Sequence, residues 1–267
     1  MIIFMYSGQI GLFLKIQILL LLLILVLLTC VTSCIPETKE RITKVTLDVN
    51  DPMFQKIYDY QDKHQLDSLL AFTNHFDPSY RYMVANGLAS FQDEKGLDSL
   101  YTLLYDPVMK VRTAAAYAIG QIGNSSSSTE LLEAFKSKDT LDVNNKFNAA
   151  VLEAIGQVGN KNLLPAMATV STYRVTDSLL LKGQAKAIYN YALRGMTSSE
   201  GTDRMVQYLT EDQEYPEEVR LIAANYLYRA RDLDLSSYKF RLVNEFESDD
   251  NPFIRSVLAI ALGRTKD

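Results

Sequence analysis

An all-α protein, an array of about six stacked helix pairs behind an N-terminal export signal, is what this sequence predicts. Three observations carry it. One seven-residue phrase is written twice, a set of residue classes returns about every 35 residues, and an apolar run near the N-terminus is too short to span a bilayer.

The apolar run comes first in the chain. After Lys15 stands IQILLLLLILVLL, Ile16 to Leu28, a stretch of 13 residues. At a rise of ~1.5 Å per residue it covers roughly 20 Å, against the ~30 Å of a hydrocarbon core. That length suits a signal-peptide core, residues 1–33. It ends in VTSC, Val31 to Cys34, which resembles the lipobox of bacterial lipoproteins, in which the cysteine receives a lipid. The resemblance makes Cys34 the lipidation site. Cys30, preceded by Leu28 and Thr29, fits less well. The alternative is an uncleaved anchor from about Ile10, which would bury Lys15 and Gln17. Either way the expected location is the cell envelope, tethered to a membrane. Ile35 after Cys34, in place of the aspartate that retains many lipoproteins, points to the outer membrane. Residues 34–50 are polar, threonine-rich and aperiodic, as a flexible tether would be, so the folded part is expected over 51–267.

That folded part is repetitive. Residues 118–124 read AIGQIGN and residues 154–160 read AIGQVGN. With Ile119 as anchor, the equivalent positions are Leu88, Ile119, Ile155, Leu193, Leu227 and Leu262, at intervals of 31, 36, 38, 34 and 35. Seven places before each anchor stand Arg81, Arg112, Asn148, Lys186, Arg220 and Arg255, basic in five of six; one place before stand Gly87, Ala118, Ala154, Ala192, Tyr226 and Ala261, small in five of six. In VRTAAAYAIG, Val111, Ala114, Ala115, Ala118 and Ile119 form one narrow apolar stripe at helical spacing, and its alanines let a neighbouring helix approach closely.

The helix starts are signalled by Asp51-Pro52, Asp77-Pro78, Asp106-Pro107 and Asn251-Pro252, each an N-cap oxygen before a proline at the first helical position. Pro216 opens a further one. Gly120 and Gly156 sit inside the repeated phrase. Gly123 and Gly159 are expected to take the left-handed turn that ends each first helix, with Asn124 and Asn160 following in the turn. Between each anchor and the next start lies a second, shorter apolar helix, such as GLDSLYTLL or TELLEAF.

The pattern D-P-x-x-x-V-R-x-x-A-A-x-A-I-G-x-I-G-N, read from Asp106 to Asn124, resembles HEAT repeats, and the resemblance extends over 51–267. It implies a right-handed α-solenoid whose second helices line a concave groove, with the conserved-type Arg of each repeat bridging to an acid in its neighbour. At Asn148 that bridge is in doubt. A protein or extended peptide is the partner the groove implies, and the solvent-facing candidates for contact are Tyr101, Thr102, Tyr105, Glu133 and Gln207.

Other chemistry is argued against. A formal charge of −5 without a basic block makes nucleic acid a poor partner. Both cysteines lie within the first 34 residues, and the two histidines, His64 and His75, have no metal-ligand spacing, so no metal and no cofactor is expected. No nucleophile or phosphate-binding motif is present, so no catalytic residue is assigned. The run Ser125 to Ser128 reads as loop plus N-cap, and the acidic runs 211–218 and 245–250 as solvated loops between repeats.

The last copy, IRSVLAIALGRTKD, completes a first helix without a second, so a covering element is expected over it. Exported lipoproteins with an opening like DPMFQKIYDYQDKHQLDSLL carry similar repeats ahead of a cyclophilin-type peptidyl-prolyl isomerase domain. That resemblance implies an alternative to a non-enzymatic scaffold: the repeat arm of an isomerase whose catalytic domain is not in these 267 residues. A third resemblance, to the HEAT-like repeats of phycobilin lyases, rests on no pigment-handling feature of residues 51–267.

Overall fold

The computed structural model describes residues 44–137, 143–169, 176–211 and 215–265. The signal segment, Cys30, Cys34 and the first part of the tether lie outside the described residues. Every regular element among the described residues is helical. Long helices alternate with shorter ones: α1 Pro52–Asp62, α2 Leu66–Leu70, α3 Pro78–Phe91, α4 Leu97–Leu103, α5 Met109–Ile122, α6 Ser128–Ala134, α7 Asn145–Val158, α8 Leu164–Thr169, α9 Ser178–Leu193, α10 Ser199–Thr210, α11 Glu217–Arg229, α12 Lys239–Ser248 and α13 Pro252–Leu262. Each odd-numbered helix packs on the next odd-numbered one, and each even-numbered helix packs on the odd-numbered helix that follows it. No helix among the described residues is long and apolar enough to cross a membrane.

The Asp-Pro starts act as expected at three of four places. Asp51 accepts from the Met53 N–H, Asp77 from that of Ser79 and Asn251 from those of Phe253 and Ile254, with proline in the first turn each time. The exception is Asp106-Pro107. Here the helix begins two residues later, at Met109 with Val108 at the N-cap, and the Asp106 carboxylate has another task. Packing also begins earlier than Asp51. Val45 is buried and the Thr46 N–H donates to Ser79 Oγ at 3.0 Å, so the proposed tether meets α3 at residues 45 and 46, while 47–50 are exposed.

The two copies of the repeated phrase end differently. Gly123 takes the left-handed conformation at φ 79°, as expected, but Gly159 has φ −62° and ψ 151°, ordinary extended backbone. Glycine is required there by a close approach instead. A Cβ at 159 would stand 1.9 Å from the hydroxyl of the fully buried Tyr191 and 2.7 Å from the Ile155 carbonyl. Asn124 and Asn160 accept from Ser126 N–H and Asn162 N–H and so start the short 3-10 turns that lead into α6 and α8.

The register of the fourth copy shifts as well. Leu180, Leu181, Gln184, Ala185, Ala187, Ile188 and Tyr191 are buried, and they repeat the buried set Phe147, Asn148, Val151, Leu152, Ala154, Ile155 and Val158 at a constant interval. The anchor of α9 is therefore Ile188, and Leu193 is 54% exposed. A basic residue seven places back and an alanine one place back made Leu193 look equivalent, but burial decides which face of a helix is its core. Lys186 consequently does not occupy the Arg112 position; Leu181 does.

The apolar core forms two clusters. One runs from Val45 to Val158 and ends with Met167, and the other runs from Leu164 to Ala261. They adjoin where α7 meets α9, and there the contact is backbone to backbone. A Cβ on Gly156 would lie 2.5 Å from Ala187 Cα, and one on Gly183 would lie 2.8 Å from Ala149 Cα. On the last helix, Phe253 and Ile260 are 45% and 42% exposed, and Ala259 is exposed where its counterparts Ala224, Ala185 and Ala116 are fully buried.

Candidate functional site

The repeated polar residues are consumed in joining one helix to the next. Asp106 Oδ1 accepts from the Val108 N–H at 2.8 Å and from Arg81 Nη2 at 2.9 Å, Oδ2 accepts from Arg81 Nε at 2.5 Å, and its carbonyl accepts from Arg112 Nη1 at 2.8 Å. Asp249 repeats this arrangement: Oδ1 accepts from Asn251 N–H at 2.7 Å, Oδ2 pairs with Arg220, and the carbonyl accepts from Arg255 Nη1 at 2.6 Å. Both carboxylates are nearly fully buried. One aspartate thus ties down the coming turn, the arginine of the preceding long helix and the arginine of its own.

The ladder changes character in the middle. Arg112 Nη2 donates to Asn144 Oδ1 at 3.0 Å, a neutral acceptor, and its guanidinium lies 5.3 Å from the centre of the Phe147 ring. Burial pulls the Arg112 pKa below its ordinary value, with Asp106 opposing. Asn148 turns away from the ladder and closes its own loop, accepting from Lys136 N–H at 2.9 Å and donating to Lys136 O at 3.0 Å. Lys186 instead bridges to Glu153 at 2.9 Å across the α7–α9 contact, both partners about a third exposed.

The residues expected to face a partner separate into two groups. Tyr101 is half-buried with its hydroxyl 2.7 Å from the buried Ser127 Oγ, a packing role that also accounts for one member of the serine run. Thr102 is exposed and donates to Asp98 O at 3.1 Å. Tyr105 is 53% exposed just beyond α4, with Lys136 Nζ 5.4 Å from its ring centre; partial burial and then the Glu133 charge push its phenol pKa up. Tyr105, Glu133 and Lys136 therefore form one exposed aromatic and charged cluster. Gln207 belongs elsewhere, on α10, accepting from Arg204 Nη1 at 2.6 Å and donating to Glu211 Oε1 at 2.5 Å. Arg204 also donates to Ala168 O and stacks over Tyr208, so it locks α10 to α8.

A cleft of about 780 Å³ opens beyond α10, lined by Glu211, Tyr215, Glu217, Arg220, Glu245 and Asp250 among others. The acidic runs are thus only partly loop: Glu217 and Glu218 begin α11, Glu245 lies in α12 and Asp249 is buried, while residues 212–214 lie outside the described residues. Burial raises the Glu245 pKa above the ordinary value of 4.5, and Arg220 at 3.0 Å only partly offsets it. The folded chain therefore holds a proton at Glu245 in a window above pH 4.5 where the unfolded chain has released it. Stability from this group falls as pH rises through that window. Urea denaturation of Glu245→Gln across that window is expected to give a flatter pH dependence than the parent, and an unchanged slope would remove Glu245 as its source. No set of three or more His, Cys, Asp or Glu among the described residues is arranged to hold a metal ion.

Residues 66–146 match the family model for HEAT repeats. The HEAT-repeat match takes in α2 to α6 and the first residues of α7, so it includes Arg81, Asp106 and Arg112. Among solved structures, the chain is similar to the complex of CpcE and CpcF of phycocyanin lyase from Nostoc sp. PCC7120, at 18% identity over 81% of this chain and 91% of that one, TM-score 0.48. It is similar also to human deoxyhypusine hydroxylase in complex with glycerol, at 15% identity over the same shares and TM-score 0.33. No curated protein matches.

Sequence reasoning missed Asp249 as the twin of Asp106. Its signal was available: both precede the long helix by three residues and stand six residues before Arg112 and Arg255. The proline beside Asp106 drew the eye to capping alone.

Proposed function

We propose that this chain is a non-enzymatic HEAT-repeat scaffold, a right-handed solenoid of about six units over 51–267, held at the envelope membrane through a lipid on Cys34 and binding a protein partner along its second helices. The observation that carries the partner surface is the cluster of Tyr105, Glu133 and Lys136, where two successive even-numbered helices present an exposed aromatic ring with a charge of each sign. Such a ring offers large contact area at little conformational cost, the usual character of an interface anchor. The buried polar groups support the same reading, since the arginines and aspartates of the ladder bond to one another and hold the array together. The lipid on Cys34, the 1–33 leader and the 34–50 tether are read from the sequence.

One experiment tests both halves. In an envelope preparation, the parent protein is expected to partition with membranes and to accumulate as precursor under globomycin, while Cys34→Ala loses both behaviours. Crosslinking from that preparation should return a partner band that weakens by about tenfold in Tyr105→Ala/Glu133→Lys, corresponding to roughly 1.4 kcal/mol. Identical bands from parent and variant would reject the cluster, and globomycin insensitivity would reject the lipid.

A further inference from the structure

The bonds Asp51–Tyr80, Arg81–Asp106 and Arg112–Asn144 each join the start of one long helix to the segment that precedes the next. The starts of α1, α3, α5 and α7 therefore share one edge. Adjacent helix axes are ~8–10 Å apart, so three steps extend this edge over roughly 30 Å.

Large apolar side chains recur on it, step by step. Val49 before α1 is 67% exposed, Phe76 before α3 is 77%, Tyr105 before α5 is 53% and Val143 before α7 is 61%, with Leu47 beside the first at 49%. Isolated exposed hydrophobes need no explanation, but one in the turn before each of four successive long helices does. They stand on loop crests rather than lining a cleft, so they suit a soft surface that receives protrusions. Exposed lysines flank them: Lys44 ahead of α1, Lys110 in the first turn of α5 and Lys146 in the first turn of α7, while beside Tyr105 Lys136 is matched by Glu133. The aspartates of the same edge are turned back on the chain. Asp48, Asp51, Asp77 and Asp106 each accept from the backbone N–H two residues on. The corresponding edge at α11 and α13 differs in charge, with Glu217 and Asp250 exposed at the cleft.

Exposed apolar side chains flanked by lysines are the composition of a surface that rests at a lipid headgroup region. We propose that the edge formed by the starts of α1, α3, α5 and α7 lies against an anionic lipid leaflet, inserting Val49, Phe76 and Val143. This inference rests on the Cys34 reading. Lys44 is ten residues on from Cys34, so the tether reaches at most about 36 Å, and it enters the domain at this end of the edge. The acidic edge of α11 and α13 is then the end held away from the lipid.

The chain after Cys34 contains no cysteine, so a single introduced thiol can be labelled alone. Full-chain protein bearing Val49→Cys, Phe76→Cys or Val143→Cys, each carrying a bimane label, is placed on vesicles of phosphatidylcholine and phosphatidylglycerol that contain doxyl-labelled lipid. Phe240→Cys, at a site 76% exposed on α12, serves as the control. The three edge labels are expected to be quenched by about twofold or more and the control label hardly at all. Replacing phosphatidylglycerol with phosphatidylcholine should reduce the edge quenching, as should Lys110→Gln/Lys146→Gln. If the protein floats with the vesicles and the edge labels are no more quenched than the control, the edge inference is overturned and the lipid anchor stands. If mass spectrometry finds no lipid on Cys34, the anchor reading fails and this inference falls with it.

Discussion

Asp106→Ala is expected to lower the unfolding free energy by about 3–5 kcal/mol, because it strands a buried guanidinium. The Arg81 side chain is 11% exposed and the Asp106 side chain 3%, so water cannot replace the lost carboxylate. Two further bonds hold Arg81 Nη1 to the His75 and Phe76 carbonyls at 2.7 and 3.0 Å, so the cation cannot swing out without breaking them too. The same substitution removes the acceptor for the Val108 N–H at the start of α5. A second variant separates the stranded charge from the lost cap. Arg81→Met/Asp106→Ala removes the cation as well and is expected to recover a large part of the loss, since the desolvation cost of the pair disappears with it. Urea denaturation measures both. A single-variant loss below about 1 kcal/mol would show that the ladder does not hold the array.

Gly156→Ala is expected to destabilise by about 2–3 kcal/mol, while Gly120→Ala, at the same letter of the repeated phrase, stays within about 1 kcal/mol. Both glycines lie inside long helices, where alanine alone would help by about 1 kcal/mol. They differ in what the added carbon meets. At 156 it meets backbone, 2.5 Å from Ala187 Cα and 2.6 Å from the Ala187 carbonyl, so α7 and α9 must move apart. At 120 the closest atom is the far end of the half-buried Gln157 side chain at 2.2 Å, which can turn away, and Ala154 Cα at 3.2 Å needs only a small shift. Thermal melts of the two variants side by side test the contrast. Equal losses would mean that the α7–α9 contact has slack that the interatomic distances do not reveal.

Helix periodicity made the array legible because core positions on a long helix recur on one face, and the stripe Val111, Ala114, Ala115, Ala118 and Ile119 is buried as read. Asp51, Asp77 and Asn251 were legible because capping is local, settled within three residues. What failed depended on contacts far along the chain. Gly159 has the sequence surroundings of Gly123, yet its reason to be glycine is Tyr191, 32 residues on in the chain. Lys186 matched a one-dimensional spacing, but α9 is turned so that Leu181 faces the core. Asp106 read as a cap because its proline is adjacent, whereas its arginine partner lies 25 residues earlier. The candidate partner surface was half legible: Tyr105 and Glu133 lie together, Tyr101 is bonded inward, and nothing in the spacing announced Lys136 as their neighbour.

The meeting of α7 and α9 sets how the whole array comes apart. In a linear array, stability is a sum of unit terms and nearest-neighbour couplings, and the molecule unfolds all at once only while every coupling exceeds the difference between the units it joins. At this step the coupling combines glycine and alanine backbones in contact, the Lys186–Glu153 pair, the buried Tyr191 against Gly159, and Arg194 donating to the Gly156 and Gly159 carbonyls, with a large apolar cluster on either side. Close contact of that kind is lost over a separation of an ångström or so, whereas interlocked large side chains yield gradually. The second copy of the twice-written phrase therefore supplies, through Gly156 and Gly159, the contacts that carry the array from one apolar cluster to the next.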